Sequence, residues 1–159
     1  MPFFRSTPLA PATAPANTAD AAPSSPTPGG GGASAPAVIL LVEDSVMIRA
    51  AVTKMLESQH YELLVATNGR EGLAAWEGNK DRITLVLSDV FMPEMDGLTM
   101  AKELRRRSRV LPIILMSSKL DEDSRWVAEE AGFRLVPKPF KDAYLLELIA
   151  RMIRLRPKA

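Results

Sequence analysis

The sequence predicts an α/β fold, a doubly wound parallel sheet of five strands with helices on both faces. The first observation is a set of four short apolar runs. Ala37–Val42 halts at Glu43-Asp44, Ile83–Leu87 at Ser88-Asp89, Ile113–Met116 at Ser117-Ser118, and Phe133–Pro137, broken by one arginine, at Lys138-Pro139. Such runs are continuous rather than alternating, the pattern of strands buried on both faces. The second observation is that the stretches between them repeat their apolar residues at helical spacing. The third is room: five strand–helix units fill the chain after Pro36, which builds one sheet and leaves no length for a second folded domain.

The elements follow in order. Residues 1–36 are built from Ala, Pro, Ser, Thr and Gly, with Gly29-Gly30-Gly31-Gly32 among them. Such a segment buries too little apolar surface to offset the entropy of ordering and is expected to be a disordered tail. It is PPII-like where proline is dense and flexible at the glycines. Phe3 and Phe4 are read as part of an ordinary leader rather than as a docking motif. The folded domain is expected over 37–157. Its first helix is expected over Ser45–Ser58, with Ile48, Val52, Met55 and Leu56 on one face and Ser45 or Asp44 as cap. Tyr61–Ala66 is the second strand. Asn68-Gly69 turns into a helix over Arg70–Glu77 that Gly78-Asn79 is expected to end. The third strand, Ile83–Ser88, leads through a loop with Pro93 and Asp96-Gly97 to a helix over Leu98–Arg107. Pro112 opens the fourth strand. An acidic loop then leads to a helix over Asp123–Ala131, with Gly132 just past its end. Phe133–Val136 is the fifth strand, and a last helix over Asp142–Arg154 buries Leu145, Leu148, Ile149 and Met152.

Composition narrows the chemistry. With no cysteine in 159 residues, disulfides, zinc–thiolate sites and thiol nucleophiles are excluded, and a cytoplasmic setting fits. A net charge of +1 gives no general attraction to nucleic acid or to an anionic membrane. No apolar stretch reaches the roughly 18 residues of a membrane span, and the N-terminus lacks the apolar core of a secretory signal. Arg105-Arg106-Arg107 with Arg109, and Arg151, Arg154, Arg156 and Lys158, are read as solvated helix faces and C-termini. His60, the one histidine, precedes the second strand, far in sequence from the polar strand ends.

Ligands of open parallel sheets bind beyond the carboxyl ends of the strands. There Glu43, Asp44, Asp89, Ser117 and Lys138 would meet. Two carboxylates about 4 Å apart repel by about 4 kcal/mol at an effective dielectric near 20. Mg²⁺ relieves such repulsion, since it prefers oxygen ligands and shares its shell with phosphate.

These residues carry a resemblance. Leu41-Val42-Glu43-Asp44-Ser45, then Leu87-Ser88-Asp89-Val90-Phe91-Met92-Pro93-Glu94-Met95-Asp96-Gly97, then Ser117, then Lys138-Pro139-Phe140 resemble the motifs of response-regulator receiver domains of the CheY-like type. Each motif alone is weak; all four in order, over Ala37 to Leu155, are specific. The resemblance implies a flavodoxin-like sheet in the order 2-1-3-4-5 with five helices. It implies Asp89 as phosphoacceptor. Asp44 would be a direct Mg²⁺ ligand, Glu43 a partner partly through water, and the Phe91 backbone carbonyl a third contributor beside Asp89. Lys138 would reach the phosphoryl oxygens as a point charge, aimed by a cis bond to Pro139. Ser117 would be the switch hydroxyl, with Ser118 at a position where a small residue is usual.

The sequence also departs from the family. Where an aromatic usually stands three residues before the lysine it has Leu135, and the nearest aromatic is Phe133. Coupling to the last helix is therefore expected to run through aliphatic packing or to be weak. Phe91 and Lys119 sit two residues after Asp89 and Ser117, and their bulk is expected to slow attack by water on an acyl phosphate.

The resemblance implies a stand-alone phosphorylatable response regulator of a two-component phosphorelay. A sensor histidine kinase or histidine phosphotransfer protein would be the donor, and a downstream protein, not nucleic acid or membrane, would take the output. The rival readings are a phosphate sink, an interaction module that is not phosphorylated, and a Mg²⁺-dependent phosphohydrolase. The last commonly needs a second acid two residues past its nucleophile, where this chain has Phe91.

Overall fold

The computed structural model describes residues 34–157. The tail reading of residues 1–33, Phe3 and Phe4 included, lies outside the described residues, as does Lys158. The chain runs β1 (Val38–Val42), α1 (Val46–Glu57), β2 (Glu62–Ala66), α2 (Gly69–Asn79), β3 (Ile83–Asp89), α3 (Gly97–Arg107), β4 (Ile113–Ser117), α4 (Glu122–Glu130), β5 (Arg134–Pro137) and α5 (Asp142–Arg154). The strands form one parallel sheet in the order β2-β1-β3-β4-β5. The doubly wound flavodoxin-like sheet expected from the sequence is thus observed. The continuous apolar runs of β1, β3 and β4 take the three interior positions, and the less apolar β2 and β5 form the edges.

Alternation along the strands divides the core into two layers. Val38, Leu40, Val42, Ile113 and Leu115 pack with Trp76 of α2, Met100 and Leu104 of α3, Ala128 of α4 and Phe133. Ile39, Leu41, Leu85, Leu87, Ile114, Met116 and Val136 pack with Val52 and Leu56 of α1 and Leu145 and Ile149 of α5. One irregularity interrupts the pattern. The register of β1 on β3 shifts between Val38 and Ile39, skipping Thr84, whose hydroxyl donates to the Val38 carbonyl at 2.8 Å. The shift lets Ile83 and Val86 share one face while Leu85 and Leu87 hold the other.

The helix boundaries show local chemistry at work. Ser45 rather than Asp44 caps α1, accepting from the Ile48 N–H at 3.4 Å. Helix α2 passes through Gly78 to Asn79, two residues beyond its expected end. Gly78 faces open space, and Asn79 Nδ2 donates to the Ala75 carbonyl at 2.9 Å, so glycine's modest helix penalty is not enough to stop the helix there. Gly132, at φ 71°, ends α4 as expected: its N–H reaches the Glu129 carbonyl at 3.1 Å and the Phe133 N–H reaches Ala128 at 2.7 Å. Among the described residues, no helix is long and apolar enough to cross a membrane.

Candidate functional site

Parity along the strands builds the site. Asp89 ends β3 in the row of Leu85 and Leu87. Glu43, one residue past β1, continues the row of Ile39 and Leu41, and Lys138, one past β5, follows Val136. All three rows face α1 and α5, so the three polar groups meet where the rows run out. Lys138 Nζ lies 3.1 Å from Glu43 Oε2 and 3.1 Å from Asp89 Oδ2. Glu43 is fully buried (0% exposed) and Asp89 nearly so, at 8%. Asp44 is exposed, yet carboxylate oxygens of Glu43, Asp44 and Asp89 all lie within 4.8 Å of one another.

The electrostatics are one-sided. Three carboxylates face a single ammonium when all are ionised. Burial pushes the Glu43 carboxyl above its ordinary 4.5; the Ser45 N–H at 3.1 Å pulls the other way, and nearby Asp89 adds to the rise. Burial alone would lower Lys138, but its hydrogen bonds to Asp89 and Glu43 outweigh that and hold it above 10.5. The surplus negative charge, on hard oxygen donors at one rim, fits a divalent cation of the Mg²⁺ or Ca²⁺ kind.

Ser117 belongs to the opposite row of β4, that of Ile113 and Leu115. It is buried, and its hydroxyl is engaged within its own loop, donating to the Lys119 carbonyl at 2.5 Å and accepting from the Lys119 N–H at 3.2 Å. Its backbone carbonyl accepts from the Lys138 N–H at 2.8 Å, which ties β4 to the lysine. The Lys138–Pro139 bond is cis. Phe91 lies in the loop after Asp89 with its ring half exposed, and Ser118 and Lys119 are exposed. Leu135, at the position of the missing aromatic, lines a groove of about 570 Å³ with Phe133, Tyr144 and Leu148. Phe133 does not replace that aromatic. Its ring is buried, with the Arg105 guanidinium 5.3 Å above its centre.

Two residues that shape the site receive no role from the sequence. Gly97 reads there only as part of a loop and a motif, but its N–H donates to the Val90 carbonyl at 2.8 Å, and a side chain there would strike the Asp89 backbone. Arg49 reaches back from α1 to the carbonyls of Glu43 at 2.8 Å and Asp44 at 3.2 Å. The available signal was a cation at the N-terminal end of a helix, where the helix dipole disfavours it.

The sheet order and the carboxylate–lysine rim define a class: a flavodoxin-like α/β domain with an acidic pocket beyond its strands. Within that class, the family model of the response regulator receiver domain matches residues 39–150, and the chain belongs to this family. It is 36% identical over 122 residues to the sensor histidine kinase CheAY of Helicobacter pylori, covering 74% of this chain and 15% of that protein. It is 36% identical over 124 residues to a probable transcriptional regulatory protein of Picosynechococcus, covering 74% of this chain and 48% of that one. The chain therefore spans half or less of the length of these relatives. Among solved structures, the chemotaxis protein CheY4 of Vibrio cholerae is 32% identical with a TM-score of 0.68, covering 74% of this chain and 99% of that one. A receiver domain from Clostridium thermocellum is 26% identical with a TM-score of 0.71, covering 74% and 94%.

Proposed function

We propose that this chain is a phosphorylatable receiver of a two-component phosphorelay, with residues 37–157 as its receiver domain and Asp89 as its acceptor. The observation that carries the reading is the Lys138 ammonium 3.1 Å from Asp89 Oδ2, beside three carboxylates gathered within 4.8 Å. Phosphoryl transfer is mainly a matter of positioning and charge neutralisation. An oxygen of Asp89 attacks the phosphorus of a phosphohistidine on a kinase or phosphotransfer protein. The P–N bond breaks, its electron pair returns to the imidazole, and an acyl phosphate remains on Asp89. Lys138 offsets the charge on the transferred group. Mg²⁺, held by Asp44, Asp89, Glu43 and the Phe91 carbonyl, would supply further neutralisation of the phosphoryl oxygens.

Ser117, which ends the opposite row of β4, then turns toward the rim and exchanges the Lys119 carbonyl for a phosphoryl oxygen, and its loop moves with it. That shift biases a two-state equilibrium read by a protein partner. Phe91 and Lys119 slow hydrolysis. The chain catalyses its own phosphorylation and slow dephosphorylation and turns over no external substrate. Its setting is cytoplasmic.

The test is incubation with acetyl phosphate and Mg²⁺ under trapping conditions, read by intact mass. Wild type is expected to gain roughly 80 Da, the mass of one phosphoryl group, and Asp89→Asn to gain nothing. An unlabelled wild type overturns the reading, and an equally labelled variant overturns Asp89 as the acceptor.

A further inference from the structure

We infer that Arg49 is a positioning residue for the cation site: it holds the backbone of the acidic pair so that the Asp44 carboxylate converges with Glu43 and Asp89. The inference rests on the metal-binding part of the reading above. One guanidinium nitrogen, Nη1, donates to two successive carbonyls, Glu43 at 2.8 Å and Asp44 at 3.2 Å. These carbonyls lie in the short turn between β1 and α1.

The two acids differ in how they are held. Glu43 is fixed several ways: its N–H reaches the Ala66 carbonyl at 3.1 Å, Oε1 accepts from the Ser45 N–H at 3.1 Å, and Oε2 accepts from Lys138 at 3.1 Å. The Asp44 carboxylate, among the described residues, makes no hydrogen bond and no ion pair, and it is exposed. Its backbone sets where its Cβ starts, and Arg49 grips that backbone.

The electrostatics at Arg49 pull both ways: the helix N-terminus disfavours a cation, while the surplus negative charge of the rim and nearby Glu71 favour one. A fixed positive charge beside a cation site also opposes cation binding. Positioning and electrostatics therefore give opposite signs when the guanidinium is removed. If Arg49 acted only as a charge, removing it would tighten Mg²⁺ binding. If it positions the acidic turn, removing it weakens binding, because partners of metal-ligating groups commonly influence affinity on the order of tenfold or more.

The experiment is calorimetric titration of Mg²⁺ into the full chain at fixed ionic strength, without phosphodonor, for wild type and Arg49→Met. The expected result is on the order of tenfold weaker binding in the variant. Binding equal to or tighter than wild type overturns the inference. If Arg49→Met does not fold, Arg49→Gln, also neutral, is titrated with the same criterion. The two readings fail separately. A wild type that binds no Mg²⁺ removes the metal site and this inference with it. A wild type that binds Mg²⁺ beside an unweakened variant removes the role of Arg49 alone.

Discussion

A Cβ on Gly97 would lie 1.9 Å from the Asp89 carbonyl oxygen and 2.9 Å from Ser88 Oγ. The crowding is with backbone, which cannot swing aside as a flexible side chain would. Gly97→Ala must displace either the start of α3 or the end of β3, and overpacking of this kind typically costs about 1–3 kcal/mol. Urea unfolding is expected to show that loss, and labelling of Asp89 by acetyl phosphate is expected to slow as its backbone moves. Glu43 supplies a second residue-scale outcome. Burial raises its folded value above 4.5, so the stability tied to its neutral form is fully present below 4.5 and is lost as pH rises through the raised value. Without divalent cation, Glu43→Gln should therefore gain on wild type as pH climbs from below 4.5 towards neutrality. Urea midpoints measured across that range check this, and a gap that stays constant with pH contradicts it. The types of these residues were legible in the sequence: an acid ending an apolar run reads as a rim group. That Glu43 would be wholly buried was not legible, because the burial comes from neighbouring strands and helices.

At the scale of elements, helix starts were readable because their chemistry is local. Asn68 caps α2 by accepting from the Glu71 N–H at 2.9 Å, while Glu71 reaches back to the Thr67 N–H and hydroxyl at 2.8 Å. The basic run at the end of α3 was readable only in part. Arg106 and Arg107 are exposed as expected, pairing with Glu103 and Glu77. Arg105 is half-buried and acts as a bolt. It donates to the carbonyls of Arg109 at 2.7 Å, Leu111 at 3.0 Å and Ala131 at 3.1 Å, and lies over the Phe133 ring. Its partners across α4 are 26 residues away in sequence, too far for any local pattern to announce them. Hydrogen bonds from a charged donor contribute about 1.5–3 kcal/mol each where they are buried. None of these bonds is fully buried, and those to Leu111 and Ala131 are only partly so, so solvent discounts each and Arg105→Ala is expected to cost on the order of 2 kcal/mol in all. It should also speed amide exchange in 108–111 and 131–133 while leaving β1 unchanged.

The described domain is a sheet between two apolar layers, and neighbouring residues of β1 serve different layers. Leu40 packs towards α2 and α3, and Leu41 towards α1 and α5; both are 0% exposed. Truncating a buried leucine to alanine costs about 2–5 kcal/mol, against a total stability of roughly 5–15 kcal/mol for an ordinary domain. Leu40→Ala and Leu41→Ala are each expected to lower the urea midpoint severely, and the double variant to be unfolded at 25 °C by circular dichroism. A mild effect from either would mean that its layer is not the closed core described above.

The sequence alone determined the number and order of the elements, the parallel sheet, and the kinds of group at the ends of its strands. Those properties follow from periodicity, caps and turn residues, all of which act within a few positions. The tertiary structure decided which of those groups face one another. Side-chain parity sends Glu43, Asp89 and Lys138 to the α1–α5 side and Ser117 to the other. Close backbone approach demands glycine at 97, and Arg105 finds the Ala131 carbonyl, 26 residues away, only once the chain has folded. Distances between segments remote in sequence are set by how the layers pack, and no window along the chain contains them.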